Sequence, residues 1–210
     1  MRTLLVLLAL ALSAPASGAQ SADSLDVTVL GRDGQPSTLA DVVRAMAEAD
    51  VVFVGEQHDD SLGHVVPQHL LRAAHEAYGR QRMVVLGLEM FETDVQGVLD
   101  EYAAGLIRER DFLDAARPWG NYARDYRPMM EYAIDNSILV VATNAPKRYV
   151  SRVSREGGLD GLIGIPDRGR ATMPDSIAPP SEAMAAAFLD LMGGAASHGS
   201  MPGMPSVDGI

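Results

Sequence analysis

The sequence contains no cysteine, which excludes disulfide bonds and thiolate metal sites. Any bound metal ion would therefore need histidine, carboxylate, tyrosine, methionine or backbone oxygen as ligands. Positive charge is also scarce, because 17 Lys and Arg residues face 28 Asp and Glu, for a formal net charge of -11. Nucleic-acid phosphates need a basic surface, so this balance argues against nucleic acid as a partner. It also disfavours binding to anionic membrane surfaces.

The apolar run at the N-terminus is too short to cross a bilayer, which takes about 20 residues. Residues 4–12 form this run; Arg2 precedes it, and the small residues 14–19 follow it. This pattern is typical of a secretory signal peptide over 1–19, with cleavage after Ala19, and a short membrane anchor is the alternative. We therefore predict an exported protein, periplasmic or associated with the cell envelope, with no membrane span after signal removal.

Three apolar runs indicate strands buried on both faces. They are Val51–Val54, Met83–Met90 and Ile138–Asn144, and helical patterns separate them. The alternation of strands and helices predicts right-handed crossovers and an α/β fold, a parallel sheet with helices on both faces.

The fold is expected to be incomplete at its C-terminal end. Three strong strands are few for a sheet that typically has about five or six, and the chain ends in a turn-like sequence at 208–210. We assign residues 20–192 to the α/β domain and 193–210 to a flexible tail.

Other local patterns predict a turn at 31–34 after a first short strand, and at most one short strand at 159–165. A helix N-cap is expected at Ser37 or Thr38. The helices are predicted within 39–49, 61–78, 94–105, 108–116 and 129–136, after Pro146, and over 182–192.

Each of the three predicted strands ends at polar residues suited to a site. Glu56 and His58 follow the first strand, Glu89 ends the second, and Asn144 ends the third. The carboxyl ends of parallel strands lie at one edge of a sheet, where α/β proteins bind ligands. We expect these four side chains to share a cavity, with an ordinary polar loop after the first strand as the alternative.

Four of the five histidines fall between residues 58 and 75. His64 lies in a loop or first helical turn and is a candidate metal ligand together with His58. The spacing of His64, His69 and His75 does not place them on one helix face at i, i+4, so no helical zinc motif is present.

Two phenols lie close to the only tryptophan, Trp119. Tyr122 and Tyr126 either pack a loop against the sheet or serve a cofactor, since a phenolate is a good ligand for ferric haem.

The order of these motifs resembles the ChaN-like haem-binding uptake family of the Tiki superfamily, over about residues 50 to 165. The resemblance rests on four segments, which are 54–60, 86–91, Trp119 with 126–128, and 143–146 with Arg148. It implies an exported α/β protein that binds haem at a homodimer interface, with tyrosine ligation, and takes part in iron uptake. Tyr122, Tyr126 and Asn144 are the candidate cofactor-binding residues under this reading.

Related Tiki-type proteins look like metal-dependent hydrolases with two G-x-x-H motifs and a glutamate. Gly55–His58 matches the first motif and Glu89 the glutamate, but Gly194–His198 is one residue too long for the second. In this alternative, His58, Glu89 and His64 hold a divalent metal ion that activates water, and Glu56 is the general base. The missing motif favours a binding protein over an enzyme, and a purely structural domain is a third possibility.

Overall fold

The computed structural model describes residues 25, 27–58, 60–174 and 176–197. The predicted signal peptide at 1–19 and residues 198–210 of the predicted tail lie outside this described part. The chain divides into two compact units, one up to Glu48 and one from Ala49 onward.

The first unit contains a small hairpin and a capped helix. Strands β1 (Val29–Leu30) and β2 (Pro36–Ser37) pair antiparallel. The turn between them includes Gly34, whose φ of +76° favours glycine. Helix α1 (Leu39–Met46) begins at Thr38, whose side chain accepts a hydrogen bond from the backbone of the third helical residue in a capping box. The predicted turn and N-cap are both confirmed.

The second unit alternates helices with two strands. Its elements are α2 (Ser61–Tyr78), β3 (Val85–Glu92), a 3₁₀ turn (Thr93–Val95), α3 (Gln96–Ala103), α4 (Glu109–Ala116), α5 (Tyr122–Asp125), α6 (Arg127–Asp135), β4 (Leu139–Asn144), α7 (Lys147–Glu156), a second 3₁₀ turn (Leu159–Leu162), α8 (Asp167–Arg170) and α9 (Glu182–Ser197). No helix in the described ranges is both long and apolar enough to cross a membrane.

Strands β3 and β4 pair in parallel, which confirms the predicted α/β class with a parallel sheet. The register aligns Leu86 with Val140 and Leu88 with Ala142, and these side chains are buried. On the other face, Val85 and Leu139 are about half exposed. The strands therefore bury one face rather than the two that their apolar composition indicates, since alternate residues of a strand point to opposite faces.

The predicted first strand, Val51–Val54, is wrong. The chain has no assigned secondary structure from Val51 to His58 except a turn at His58, and all four apolar side chains are exposed. A strand forms only where another strand offers its backbone groups. Within the described ranges, no backbone hydrogen bond outside the helices and strands involves Val51–Val54. β-branched composition makes a segment suitable for a sheet, but it does not provide the partner.

One edge of the sheet is closed by a side chain. The Gln96 amide donates to the Val140 carbonyl at 2.9 Å and accepts from the Ala142 backbone N–H at 2.8 Å. The side-chain amide thus occupies two backbone positions that a neighbouring strand would use.

The core lies between the buried sheet face and the helices. Phe112 stacks on Tyr102 with ring centroids 4.3 Å apart and contacts Phe91 and Tyr122 at 5.6 and 5.8 Å. Aromatic side chains bury the largest apolar areas, so this group anchors α3, α4 and α5 to β3.

The region after α7 differs from the sequence prediction in one respect. Residues 159–165 contain the 3₁₀ turn Leu159–Leu162 instead of a short strand. Gly161 bonds back to Gly158, and Gly164 has a φ of +76°, so the glycines bend a segment that would otherwise extend. Helix α9 begins at Glu182 as predicted and continues to Ser197, beyond the predicted end at 192.

Candidate functional site

Through the Glu56 carboxylate, the loop that follows Val54 meets helix α2 and the junction between α5 and α6. Its Oε1 accepts a hydrogen bond from the Tyr126 hydroxyl and lies 3.1 Å from His58 Nδ1. Its Oε2 lies 2.9 Å from Nδ1 of the buried His64, without the angle of a hydrogen bond. One carboxylate therefore joins three side chains from three parts of the chain.

Asp125 provides a second carboxylate on the far side of the His64 ring. Its Oδ2 lies 3.4 Å from His64 Nε2 and accepts from Asn121 Nδ2 at 2.9 Å. Arg124 donates two hydrogen bonds to Asp125, both of 2.7 Å. Hydrogen bonding from Arg124 is the largest cause that holds the pKa of the Asp125 carboxyl below its usual range, and the bond from Asn121 acts in the same direction.

Two further contacts fix the loop. Asn121 Nδ2 donates to the His58 carbonyl at 2.9 Å, which ties the loop backbone to α5. The Trp119 ring packs against the His58 ring with centroids 4.5 Å apart and stands perpendicular to the Tyr126 ring at 6.0 Å. We call this group the Glu56 cluster, which comprises Glu56, His58, His64, Trp119, Asn121, Asp125 and Tyr126.

Exposure divides the cluster into an inner and an outer part. The His64 and Asp125 side chains are almost fully buried, whereas the His58 side chain is 59% exposed. Tyr126 is only 4% exposed, and burial together with its bond to the Glu56 carboxylate raises the pKa of the Tyr126 phenol. A raised pKa means that the phenol keeps its proton. His58 is therefore the cluster member with the most exposed ring.

Glu89 and Asn144 do not join the cluster. Glu89 lies on the exposed face of β3, and its side chain makes no hydrogen bond or ion pair with the part of the chain that the structure describes. Asn144, at the end of β4, pairs with Glu92 of β3. The register of the two strands shifts between Leu88 and Glu92. We expected Glu56, His58, Glu89 and Asn144 to share one cavity because Val51–Val54 was predicted to be a strand of the sheet. The segment Val51–Val54 lies outside the sheet of β3 and β4, so Glu56 and His58 do not follow a strand of that sheet.

Tyr122 is part of the core. Its ring contacts Phe91 and Phe112, and its buried hydroxyl has no hydrogen-bond partner among the described residues. Burial raises the pKa of this phenol as well. The structure therefore places Tyr126, and not Tyr122, beside the loop of Glu56 and His58.

The carboxyl ends of the strands carry a separate charged group. Asp94 accepts hydrogen bonds from Arg148 and, at 3.1 Å, from Arg117, which also bonds Glu92 at 3.2 Å. These charges satisfy one another and join the start of α7 to the end of β3. Among the described residues, no three His, Asp or Glu side chains are arranged to hold a metal ion. The divalent-metal alternative therefore has no support in the described part of the chain.

The sequence reasoning missed Asn121, Arg124 and Asp125. A signal was available, because Asn121 and Asp125 are four residues apart and so lie on one side of a helical turn. For the two phenols of the same segment, the sequence predicts either packing of a loop against the sheet or a role with a cofactor. The Asp125 carboxylate between these phenols and the Asn121 amide just before them are not among the predicted site residues.

The sequence model of one known family, described as haem-binding uptake, Tiki superfamily, ChaN, matches residues 42–207. The chain belongs to this family. The matched segment contains the Glu56 cluster and both strands of the parallel sheet. Searches of curated proteins and of solved structures found no match.

Membership of the ChaN family supports haem as the ligand of this chain at the level of the family's description. Two features of the described residues bear on how haem fits. Four exposed apolar residues, Val51–Val54, lie shortly before Glu56 and His58 in the sequence. The His58 ring then offers a nitrogen-ligand type that haem proteins commonly use.

Proposed function

We propose that this chain is an exported haem-binding protein that takes part in haem and iron uptake. The observation that carries the proposal is the adjacency of exposed apolar residues and ligand-type side chains. Phe53 is 93% exposed, and Glu56 and His58 follow it within five residues. A porphyrin has large apolar faces around a metal that needs a ligand, so this combination suits haem. Haem is also the ligand in the description of the family to which the chain belongs.

The first experiment is a titration of the mature protein with ferric haem. We expect a shifted and saturable Soret band with a fixed ratio of haem to protein. A spectrum that remains the sum of free haem and protein would refute haem binding.

The location of the bound haem is tested by a matched pair of substitutions. Phe53→Asp places a charge among the exposed residues 51–54, and we expect it to lower haem affinity at least tenfold. Phe188→Asp changes an equally apolar residue on α9, which is 52% exposed, and should leave the affinity unchanged. Equal effects of both substitutions would show that haem does not contact the segment before the Glu56 cluster.

We propose that residues 1–19 direct export and are removed after Ala19. Expression in a Gram-negative host, followed by mass spectrometry of the periplasmic fraction, should yield a chain that begins at Gln20. A chain retaining Met1 in the cytoplasmic fraction would contradict export.

A homodimer across the haem site is the remaining part of the proposal. Exposed apolar residues at Val51–Val54 favour association, because burying apolar surface is favourable. Light scattering after size exclusion should give the mass of two chains with haem present, and Phe53→Asp should reduce that dimer. A monomer at every haem concentration would exclude this arrangement.

A further inference from the structure

Positive charge in this acidic chain is concentrated after β4. Residues 147–170 contain six Lys and Arg against three Asp and Glu, whereas the whole chain has 17 against 28. Arg152 forms no ion pair with the described residues and donates to the Ile163 carbonyl at 3.1 Å. Three further side chains of this stretch make no hydrogen bond or ion pair among the described residues, and they are Lys147, Arg155 and Arg168. Four of the six cations are therefore not neutralised by a described acid.

Helix α7, the second 3₁₀ turn and α8 pack closely against one another. Gly161 of the turn lies so near α7 that a Cβ atom there would be 3.0 Å from Val153 Cα. The Tyr149 hydroxyl lies against Gly169 of α8, where a Cβ atom would not fit. Glycine allows such close approach because it has no side chain. These contacts hold the three elements together, so their outward side chains form one surface.

Exposed apolar side chains lie on this surface. Leu159, Ile163 and Ile177 line a depression of about 260 Å³, and the Arg170 side chain forms part of its wall. Ile163 is 70% exposed, and the other two apolar side chains are about half exposed. Apolar groups that stay open to water in such a group mark a site of interaction.

Two arginines of α7 bring positive charge to the edge of this depression. Arg152 contacts the Ile163 carbonyl, and Arg155 lies about one turn further along the same side of the helix. The guanidinium group suits phosphate, because its N–H donors match two phosphate oxygens. We call this group the α7 surface, which comprises Arg152, Arg155, Leu159, Ile163, Arg170 and Ile177.

Cations beside exposed apolar side chains are the chemistry of a surface that binds anionic lipid. Lys and Arg attract anionic headgroups, while apolar side chains enter the boundary between headgroups and acyl chains. An acidic protein partner would use the cations but would not require Ile163 to be exposed. The net charge of -11 disfavours an anionic membrane for the chain as a whole. Charges act over only about 8 Å at physiological ionic strength, so the local excess of cations governs this face.

We infer that the α7 surface docks the protein on anionic phospholipid bilayers. Arg152 and Arg155 contact the headgroup phosphates, and Ile163 enters the apolar boundary. The α7 surface shares no residue with the Glu56 cluster, and the inference does not rest on haem binding. For this face, it replaces the expectation that the net charge alone suggests.

The test measures binding of the haem-free mature protein to vesicles by co-sedimentation. The mature protein is used because the apolar segment 4–12 could enter lipid by itself. We expect vesicles of equal parts phosphatidylglycerol and phosphatidylcholine to bind at least tenfold more tightly than phosphatidylcholine alone, and about 1 M salt to reduce the difference. Equal binding to both vesicles would overturn the inference, because exposed apolar residues elsewhere would then explain it.

Two double variants with the same change in net charge locate the binding surface. Arg152→Glu with Arg155→Glu should lower the affinity for the mixed vesicles at least tenfold. Arg80→Glu with Arg110→Glu changes two exposed arginines that make no ion pair with the described residues, and should lower it less than twofold. Equal losses would mean that net charge alone controls binding and would overturn the inference. Circular dichroism checks the fold, and Arg155→Glu alone repeats the comparison without touching the Arg152 bond.

The apolar contribution is tested with Ile163→Asp and its control Leu106→Asp. The two side chains are 70% and 75% exposed, and both changes add one negative charge. We expect only Ile163→Asp to weaken binding to the mixed vesicles, by at least threefold. Polyglutamate serves as a soluble anionic probe. If it bound as tightly as the mixed vesicles and Ile163→Asp had no effect, the α7 surface would fit an acidic protein partner and the lipid inference would be wrong.

Discussion

At the scale of single residues, Tyr126 is held in its protonated form. Burial and the Glu56 carboxylate raise the pKa of its phenol above the ordinary value of about 10. The unfolded chain therefore loses this proton at a lower pH than the folded chain. The contribution of Tyr126 to stability is complete below pH 10 and declines as the pH rises above it.

A spectrophotometric titration of the phenols tests this protonation state. In the folded protein, we expect Tyr122 and Tyr126 to ionise later than a free tyrosine, and the urea-unfolded chain to titrate all six phenols near pH 10. Tyr126→Phe should reduce the late-titrating fraction by one phenol. An unchanged late fraction in that variant would show that the Tyr126 hydroxyl is open to solvent.

Residue identity alone predicted part of the Glu56 cluster. Glu56, His58, His64 and Tyr126 were each selected from the sequence, and the structure brings them into contact. Their partners Asn121 and Asp125 are not among the predicted residues, because their four-residue spacing indicates a shared side of a helical turn but not which histidine that side meets. The pairing of Asp125 with His64 depends on the fold, which brings these two distant segments together.

At the scale of elements, the Gln96 side chain stabilises one edge of the sheet. Gln96→Ala removes the two bonds to Val140 and Ala142 and leaves those backbone groups unpaired. We expect the free energy of unfolding to fall by about 1–3 kcal/mol. Urea unfolding followed by circular dichroism measures this.

Gln81→Ala is the control for Gln96→Ala. Gln81 is exposed in the turn after α2, and its truncation should change stability by less than about 0.5 kcal/mol. Equal losses in both variants would mean that the bonds of Gln96 are no stronger than its bonds to water.

Elements with strong local signals were predicted well. Helix α2 has the predicted bounds of Ser61–Tyr78, because its apolar stripe and the glycine after it are local features. The prediction of a strand at Val51–Val54 is wrong for the opposite reason. A strand needs a second strand to pair with, and a short stretch of sequence does not show whether such a partner is present. Only one face of β3 is buried. Which face of a strand is buried depends on the elements that pack against the sheet, and the sequence of the strand alone does not show this.

At the scale of the whole molecule, Phe112 lies in the hydrophobic core of the described part of the second unit. This side chain is 0% exposed and contacts three other rings. We expect Phe112→Ala to reduce the free energy of unfolding by about 3–5 kcal/mol, because it loses apolar burial and leaves a cavity. Thermal and urea unfolding both report the change.

Phe188→Ala removes the same side chain from an exposed position on α9. We expect this substitution to change the free energy of unfolding by less than about 0.5 kcal/mol. If Phe112→Ala were equally mild, the core would be able to close around the missing ring, and stability would have to come from other contacts.

The position of Trp119 gives the molecule a built-in optical reporter. It is the only tryptophan in the chain, and it contacts the rings of both His58 and Tyr126. All indole fluorescence therefore originates 4.5 Å from the His58 ring, beside the proposed haem site. Haem absorbs at the wavelengths that indole emits, so emission should be extinguished by energy transfer in proportion to occupancy. A fluorimeter could then follow loading of the protein at nanomolar concentrations, and undiminished emission from the loaded protein would place the haem far from this ring.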